Sequence, residues 1–313
     1  MIVTCTPNPS VDRTVEVDHL RRGQVQRLTA ARVHPGGKGV NVARALHGNG
    51  HPVHAVVPVG GSEGAHFIAM LEEVGVPTTS VAIAAPMRVN VTLAEADGTT
   101  TKLNAEGARL TPEARERLLA VTVDLADGDG WVAGCGSLAP GAGEDFYADL
   151  VERGRRAGCR TAIDASGPAL AAAVAARPSL IKPNYHELVE LTGSRLTTFG
   201  DAVDAGRALC HRGVGTVLVS LGVDGALLVT ADDVLYGDSE PVAVRSTVGA
   251  GDALLAGFLA AGAAGPQALV SGLTWATAAC QLPGSTMPGP EDLDTPCVRL
   301  HDAYEPSRPL KGD

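Results

Sequence analysis

The chain has 313 residues, of which 45% are apolar and only 3% aromatic, and it carries a formal net charge of -10. That length suits one large α/β unit with an appended element as well as it suits two domains, with an ample core of Ala, Val and Leu either way. With so few aromatic rings, an acidic balance and no basic block, the sequence excludes base-stacking platforms and electrostatic docking on nucleic acid or an anionic membrane. In chain order, short β-branched runs predict strands at 2–6, 53–58, 131–135, 161–164, 180–182, 216–220 and 226–230. Between them, Ala-rich stretches predict helices at 40–46, 63–74, 112–126, 144–156, 185–192, 202–212, 253–263 and 266–281. The Pro/Gly-rich stretch 283–290 reads as a loop before a final helix.

This alternation predicts a doubly wound, mostly parallel sheet covered by helices on both faces. Two stretches break it. Residues 14–17 with 27–34, and 88–95 with 100–104, read as hairpin-like strands, the second pair turning at Asp97-Gly98. Together they predict a small β-sheet lid, formed by about residues 12–35 and 87–106. The six cysteines are scattered without a C-x-x-C pair and read as buried free thiols of a reducing compartment. The N-terminus has no basic or long apolar targeting region, so the chain is expected in the cytoplasm.

The densest chemical signal is Ser246-Thr-Val-Gly-Ala-Gly-Asp252 before the apolar run 254–264. Gly249, Ala250 and Gly251 open a helix whose free amides and positive pole form an anion site. Asp252 is out of place there, since a carboxylate repels a phosphate unless it acts as a base for an attacking hydroxyl. An ordinary first-turn Asp favoured by the dipole is the other reading. Further constellations are TPNPSVD up to Asp12, His34-Pro-Gly-Gly-Lys-Gly-Val-Asn-Val-Ala-Arg44, Lys182-Pro-Asn-Tyr-His-Glu187 and Ser220-Leu-Gly-Val-Asp-Gly225. Taken singly these are also turns or caps, and Asn184 with Glu187 three residues on fits a capping box. No dinucleotide fingerprint follows a strand and no Walker A loop exists, because Lys38 precedes Gly39.

In their order along residues 2–284 these segments resemble the ribokinase-like carbohydrate kinases, the phosphofructokinase B family. The TPNPSVD, PGGKGVN, Arg88-Val-Asn90, Gly136-Ser-Leu138 and VSLGxxGA texts are most similar to its phosphosugar branch. The resemblance implies a ribokinase-like fold in a single domain, residues 1–313, with ATP and Mg²⁺ as cofactors and a phosphorylated ketohexose as substrate. It implies Asp252 as catalytic base, with the amides of Gly249, Ala250 and Gly251 on the transferring phosphoryl group. Lys182, Asn184, Ser220, Leu221, Gly222, Gly225, Thr247 and Gly251 would bind the nucleotide, and Asn184 and Glu187 the metal through water. Asp12, Gly37, Lys38, Asn41, Ser137 and Asp252 would hold the sugar and Arg88 its phosphate, with Arg27, Lys102 and Asn104 as further candidates. The resemblance also implies a homodimer through the lid.

Several positions depart from the branch. Gln24 stands where the minor 6-phosphofructokinase has a lid lysine, Glu106 replaces a proline before Gly107, and Ala139 interrupts Gly-Ser-Leu-Pro. Ala253 follows Asp252 where Ser or Thr is common. The expected reaction is phosphorylation of D-fructose 1-phosphate, with tagatose 6-phosphate or fructose 6-phosphate as alternative acceptors. A non-catalytic sugar-phosphate sensor is the alternative from another class.

Overall fold

The computed structural model describes residues 1–126, 128–294 and 296–311. Its frame is a ten-stranded sheet. In chain order the strands are β1 (Ile2–Cys5), β4 (Val53–Val59), β5 (Thr78–Ala82), β8 (Trp131–Cys135), β9 (Arg160–Asp164), β10 (Leu180–Ile181), β11 (Thr216–Ser220), β12 (Ala226–Val229), β13 (Val234–Ser239) and β14 (Val298–His301). Their spatial order is β14-β13-β12-β11-β10-β9-β8-β1-β4-β5. From β5 to β11 every pairing is parallel, while β12, β13 and β14 extend the sheet antiparallel. Strand order reverses beside β1, so a crevice opens at the carboxyl ends of the parallel strands.

The strands carry apolar side chains on both faces because helices cover both. On one face Val3, Val132, Val217 and Val219 pack with residues of α3 (Pro112–Ala126), α4 (Phe146–Arg156), α5 (Gly167–Ala175), α6 (Tyr185–Thr192) and α7 (Phe199–His211). On the other, Ile2, Ala133 and Leu218 pack with α1 (Lys38–Gly48), α2 (Gly61–Glu73), α8 (Ala250–Ala260) and α9 (Gly265–Cys280). The single-residue alternation between the two clusters is the period-two geometry of a strand buried on both sides. No helix among the described residues is long and apolar enough to cross a membrane.

A second sheet, β3-β2-β6-β7, stands apart from the first. It comprises β2 (Ser10–Val17), β3 (Ala30–Gly36), β6 (Arg88–Glu95) and β7 (Thr100–Leu103). Distant segments meet here: β2 runs parallel to β6, pairing Ser10 with Arg88 and Asp12 with Asn90. The predicted turn lies between β6 and β7, with Gly98 at φ 91° and the Thr99 amide donating to Asp97 Oδ1 at 2.8 Å. Arg27 falls before β3, outside the strand expected at 27–34.

Two expectations need correction. The final helix is absent among the described residues: after 283–290 the chain makes one short 3₁₀ turn, Pro290–Asp292, and then β14. A ladder onto β13 satisfies that backbone at the sheet edge instead. The cysteines are not all buried either, since Cys297 is exposed and Cys280 half-buried.

The tail after β14 forms a strap. Arg308 O accepts from Phe199 N and Pro306 O from Gly200 N, while Leu310 N donates to Thr197 O. Its guanidinium stacks on Phe199 and Tyr236 and reaches Asp224, a fully buried carboxylate in the 3₁₀ turn Gly222–Asp224. The Lys311 amide donates to the same carboxylate at 2.6 Å.

Candidate active site

The sequence-predicted residues converge on the carboxyl ends of the parallel strands and the small sheet beside them. At the small sheet, Ser10 Oγ donates to Asp12 Oδ1 at 2.6 Å and Asn90 Nδ2 to the same oxygen at 3.0 Å. Gly36 faces Asp12 across the β2–β3 pair, where an added Cβ would run into the carboxylate, so a side chain there would displace Asp12. Gly37 caps α1 and Lys38 is its first residue. Ser137, exposed after β8, accepts from Asn8 Nδ2 at 3.3 Å. The guanidinium of Arg88 donates to the carbonyls of Asn8 (2.8 Å), Ala105 (3.0 Å) and Pro9 (3.4 Å), tying β6 to the loop after β1. Arg27, Lys102 and Asn104 are exposed and distribute along the small sheet's outer parts.

The centre is built on two carboxylates. Asp164, fully buried at the end of β9, takes Lys38 Nζ at 2.7 Å and Lys182 Nζ at 3.1 Å. Burial pushes the Asp164 pKa up, but Lys182 and Lys38 outweigh it and hold the group below the usual carboxylate range. The Lys38 pKa is raised: burial opposes its charge, and Asp164 and Glu187 more than compensate. Asp252, 6% exposed, has a different environment: burial and then repulsion from Asp164 push its pKa up to about 7, with Lys38, Asn41 and Lys182 pulling partly back. Environments that separate two carboxylates in this way leave one as a fixed charge and the other as a group that exchanges a proton near neutrality.

Asp252 stands in the first turn of α8. Gly249, the residue before that helix, is in the left-handed region at φ 82°, and a Cβ there would lie 2.6 Å from Met287 Cε. The left-handed backbone favours glycine, and any side chain there would have to push the end of Met287 aside. The Ala250 amide turns to the Thr247 carbonyl at 3.3 Å, which leaves the Gly251 amide without a backbone acceptor among the described residues. A Cβ on Gly251 would lie 3.2 Å from Lys182 Nζ, so a cation and a helix N-terminus share one anion-attracting spot.

On the opposite wall, Ser220 ends β11 beside Asn184, followed by Leu221, Gly222 and Gly225 in the turn to β12. Thr247 is exposed before α8. Asn184 and Glu187 form a capping box: Asn184 Oδ1 accepts from Glu187 N at 2.8 Å, and Glu187 Oε2 from Asn184 N at 2.9 Å. Glu187 Oε1 also faces Lys38 Nζ at 3.4 Å. Among the described residues no three His, Cys, Asp or Glu side chains cluster as a metal cage.

Sequence reasoning gave no role to Asp164, nor to Asn8, Asn90 and Arg44, although the last three lie inside its motifs. A carboxylate at the end of a parallel strand signals Asp164. Asn8, Asn90 and Arg44 act through partners distant in sequence, such as Glu106, Asp12 and Ser285.

The pattern of the pfkB family of carbohydrate kinases matches residues 6–291. A 1-phosphofructokinase of Rhodobacter capsulatus is 38% identical over 266 residues, covering 84% of each chain. Another from Haloferax volcanii is 38% identical over 299 residues, 94% of this chain and 96% of the relative. Among solved structures, phosphofructokinase-2 from Escherichia coli in complex with potassium superposes with a TM-score of 0.89 at 31% identity, covering 94% of this chain and 96% of that one. A phosphate-attracting helix start with a neutral-range carboxylate inside it is the equipment of phosphoryl transfer to an alcohol, and the chain belongs to the pfkB family of carbohydrate kinases.

Proposed function

We propose that this kinase transfers the γ-phosphoryl group of ATP to the 6-hydroxyl of D-fructose 1-phosphate in the cytoplasm. The carrying observation is the buried Asp252 carboxylate at the glycine-lined start of α8, with its pKa raised to about 7. Relatives named 1-phosphofructokinase support the choice of sugar.

Asp252 takes the proton of the attacking hydroxyl, and the Gly251 amide, the start of α8 and Lys182 receive the charge developing on the phosphoryl oxygens. Ser220, Leu221, Gly222, Gly225 and Thr247 line the nucleotide. Mg²⁺ needs few protein ligands when phosphates and water complete its shell, and the Glu187 carboxylate beside Lys38 and Asn184 fits that modest demand. Bound with ATP, the ion neutralises phosphate charge. Asp12 grips sugar hydroxyls with Gly37, Lys38, Asn41 and Ser137, while the small sheet closes over them and excludes water. Exposed Val33 and Leu103 on this sheet, with Val25 and Leu28 in the loop before β3, make it the face through which two copies pair.

A coupled assay of ADP release across fructose 1-phosphate, fructose 6-phosphate and tagatose 6-phosphate tests the reading. Fructose 1-phosphate should give the highest kcat/KM; a faster 6-phosphate reassigns the acceptor, and binding without turnover makes the protein a sensor. Arg88→Ala should raise the sugar-phosphate KM about tenfold or more and leave the ATP KM unchanged, since a charge-assisted contact contributes roughly 1.5–3 kcal/mol. Equal weakening for phosphorylated and unphosphorylated sugars would reduce Arg88 to its ties with the Asn8, Pro9 and Ala105 carbonyls.

A further inference from the structure

Asn41 is 6% exposed and stands between two groups of opposite hydrogen-bonding character. Its Oδ1 accepts from Arg44 Nη1 at 3.2 Å, and its Nδ2 donates to Asp252 Oδ2 at 2.8 Å. The two ends of a carboxamide have nearly the same shape, so packing alone does not choose between the two orientations. Hydrogen bonding does choose. A guanidinium only donates and an ionised carboxylate only accepts, so both are satisfied in one orientation alone. In the flipped amide a carbonyl would face the Asp252 carboxylate and an NH₂ group would face the guanidinium.

We propose that Arg44 is a positioning residue: it locks the Asn41 amide, which in turn holds Asp252 by Oδ2 and presents Oδ1 to the substrate hydroxyl. This deepens, and rests on, the reading of Asp252 as the base. Arg44 lies three residues after Asn41 in α1, on the same helix face. The Ser285 carbonyl anchors its guanidinium at 3.2 Å. Ser285 belongs to the loop that also sets Met287 against Gly249, so one loop steadies both the amide and the start of α8. Asp252 is faced by Asp164 from β9, Lys38 from α1, Lys182 beyond β10, and the Cys135 thiol of β8, kept neutral by burial. Among the described residues none of these bonds to Asp252; Asn41 is its side-chain donor. The orientation of one amide therefore decides which carboxylate oxygen is held and how readily the group ionises.

The test replaces Arg44 with Met, which keeps length and removes every donor, and with Lys, which keeps one. Two readouts apply: the acid limb of kcat/KM against pH, and the titration of the Asp252 carboxyl carbon by ¹³C NMR, assigned through Asp252→Asn. Losing a donor to the ionised form should move both to higher pH by about one unit in Arg44→Met, and by less in Arg44→Lys. If limb and titration stay at their wild-type positions in Arg44→Met, whatever happens to its rate or Tm, the proposal is wrong. Should Arg44→Met fail to fold, Arg44→Lys decides by the same criterion. If the wild-type protein phosphorylates none of the sugars but the NMR titration still moves in Arg44→Met, the positioning stands and the kinase substrate reading falls.

Discussion

Asp252→Asn should lower kcat by at least ~10²-fold to 10⁴-fold while ATP binding, measured by calorimetry, changes little. The amide keeps the shape and can still meet Asn41, but it cannot take a proton. The wild-type kcat/KM should in turn fall as pH drops below about 7, because that limb reports the ionisation of the free enzyme's base. Stability runs the opposite way. The folded protein binds the Asp252 proton more tightly than the unfolded chain does, so its contribution weakens as pH rises from about 4 to about 7. Asp252→Asn removes that loss and should melt no lower than the wild type at pH 8. A variant that keeps near-full kcat would remove Asp252 from the chemistry.

Asp164→Asn should be the most destabilising of the single substitutions in the site. It leaves Lys182, 3% exposed, without its anion, and breaking a buried pair in this way costs about 3–5 kcal/mol. Lys38 is 36% exposed and still faces Glu187, so it contributes the smaller share. Urea unfolding measures the loss. The same change removes the repulsion that helps raise Asp252, so the acid limb of kcat/KM should shift to lower pH even as the maximal rate falls. Wild-type stability together with an unmoved limb would show that the two carboxylates act independently.

The legible parts of this molecule were those with local causes. Alternating β-branched and Ala-rich segments predicted the parallel sheet and most helices to within a few residues, because apolar period and turn residues are properties of neighbours in the chain. The exceptions are instructive. Helix α5, GPALAAAVA, is apolar all round and carries no amphipathic signal. Strand β13, VLYGDS, ends in residues that disfavour strands and owes its conformation to pairing with β12 and β14. In the site, Gly249 to Asp252 could be read from an anion-binding pattern. Asp164 was legible only as a carboxylate at a strand end; its lysine partners, 126 residues upstream and 18 downstream, were not. Asn184 and Glu187 show how two readings share one geometry: the capping box that ties them together also fixes the carboxylate beside Lys38.

The strap has a consequence for how the protein comes into being. Asp224 is fully buried in the turn proposed to line ATP, and its cationic partners, Arg308 and Lys311, are made more than eighty positions later. A carboxylate enclosed without a counter-charge is costly, so the turn cannot settle while those residues are still missing. On the ribosome, the small sheet proposed to cover the sugar is made long before the strap. Arrested chains ending before Glu305 should therefore shield the small sheet from protease on adding sugar phosphate, yet gain no protection at 220–225 from ATP. Equal protection of both regions would mean that the strap arrives too late to matter.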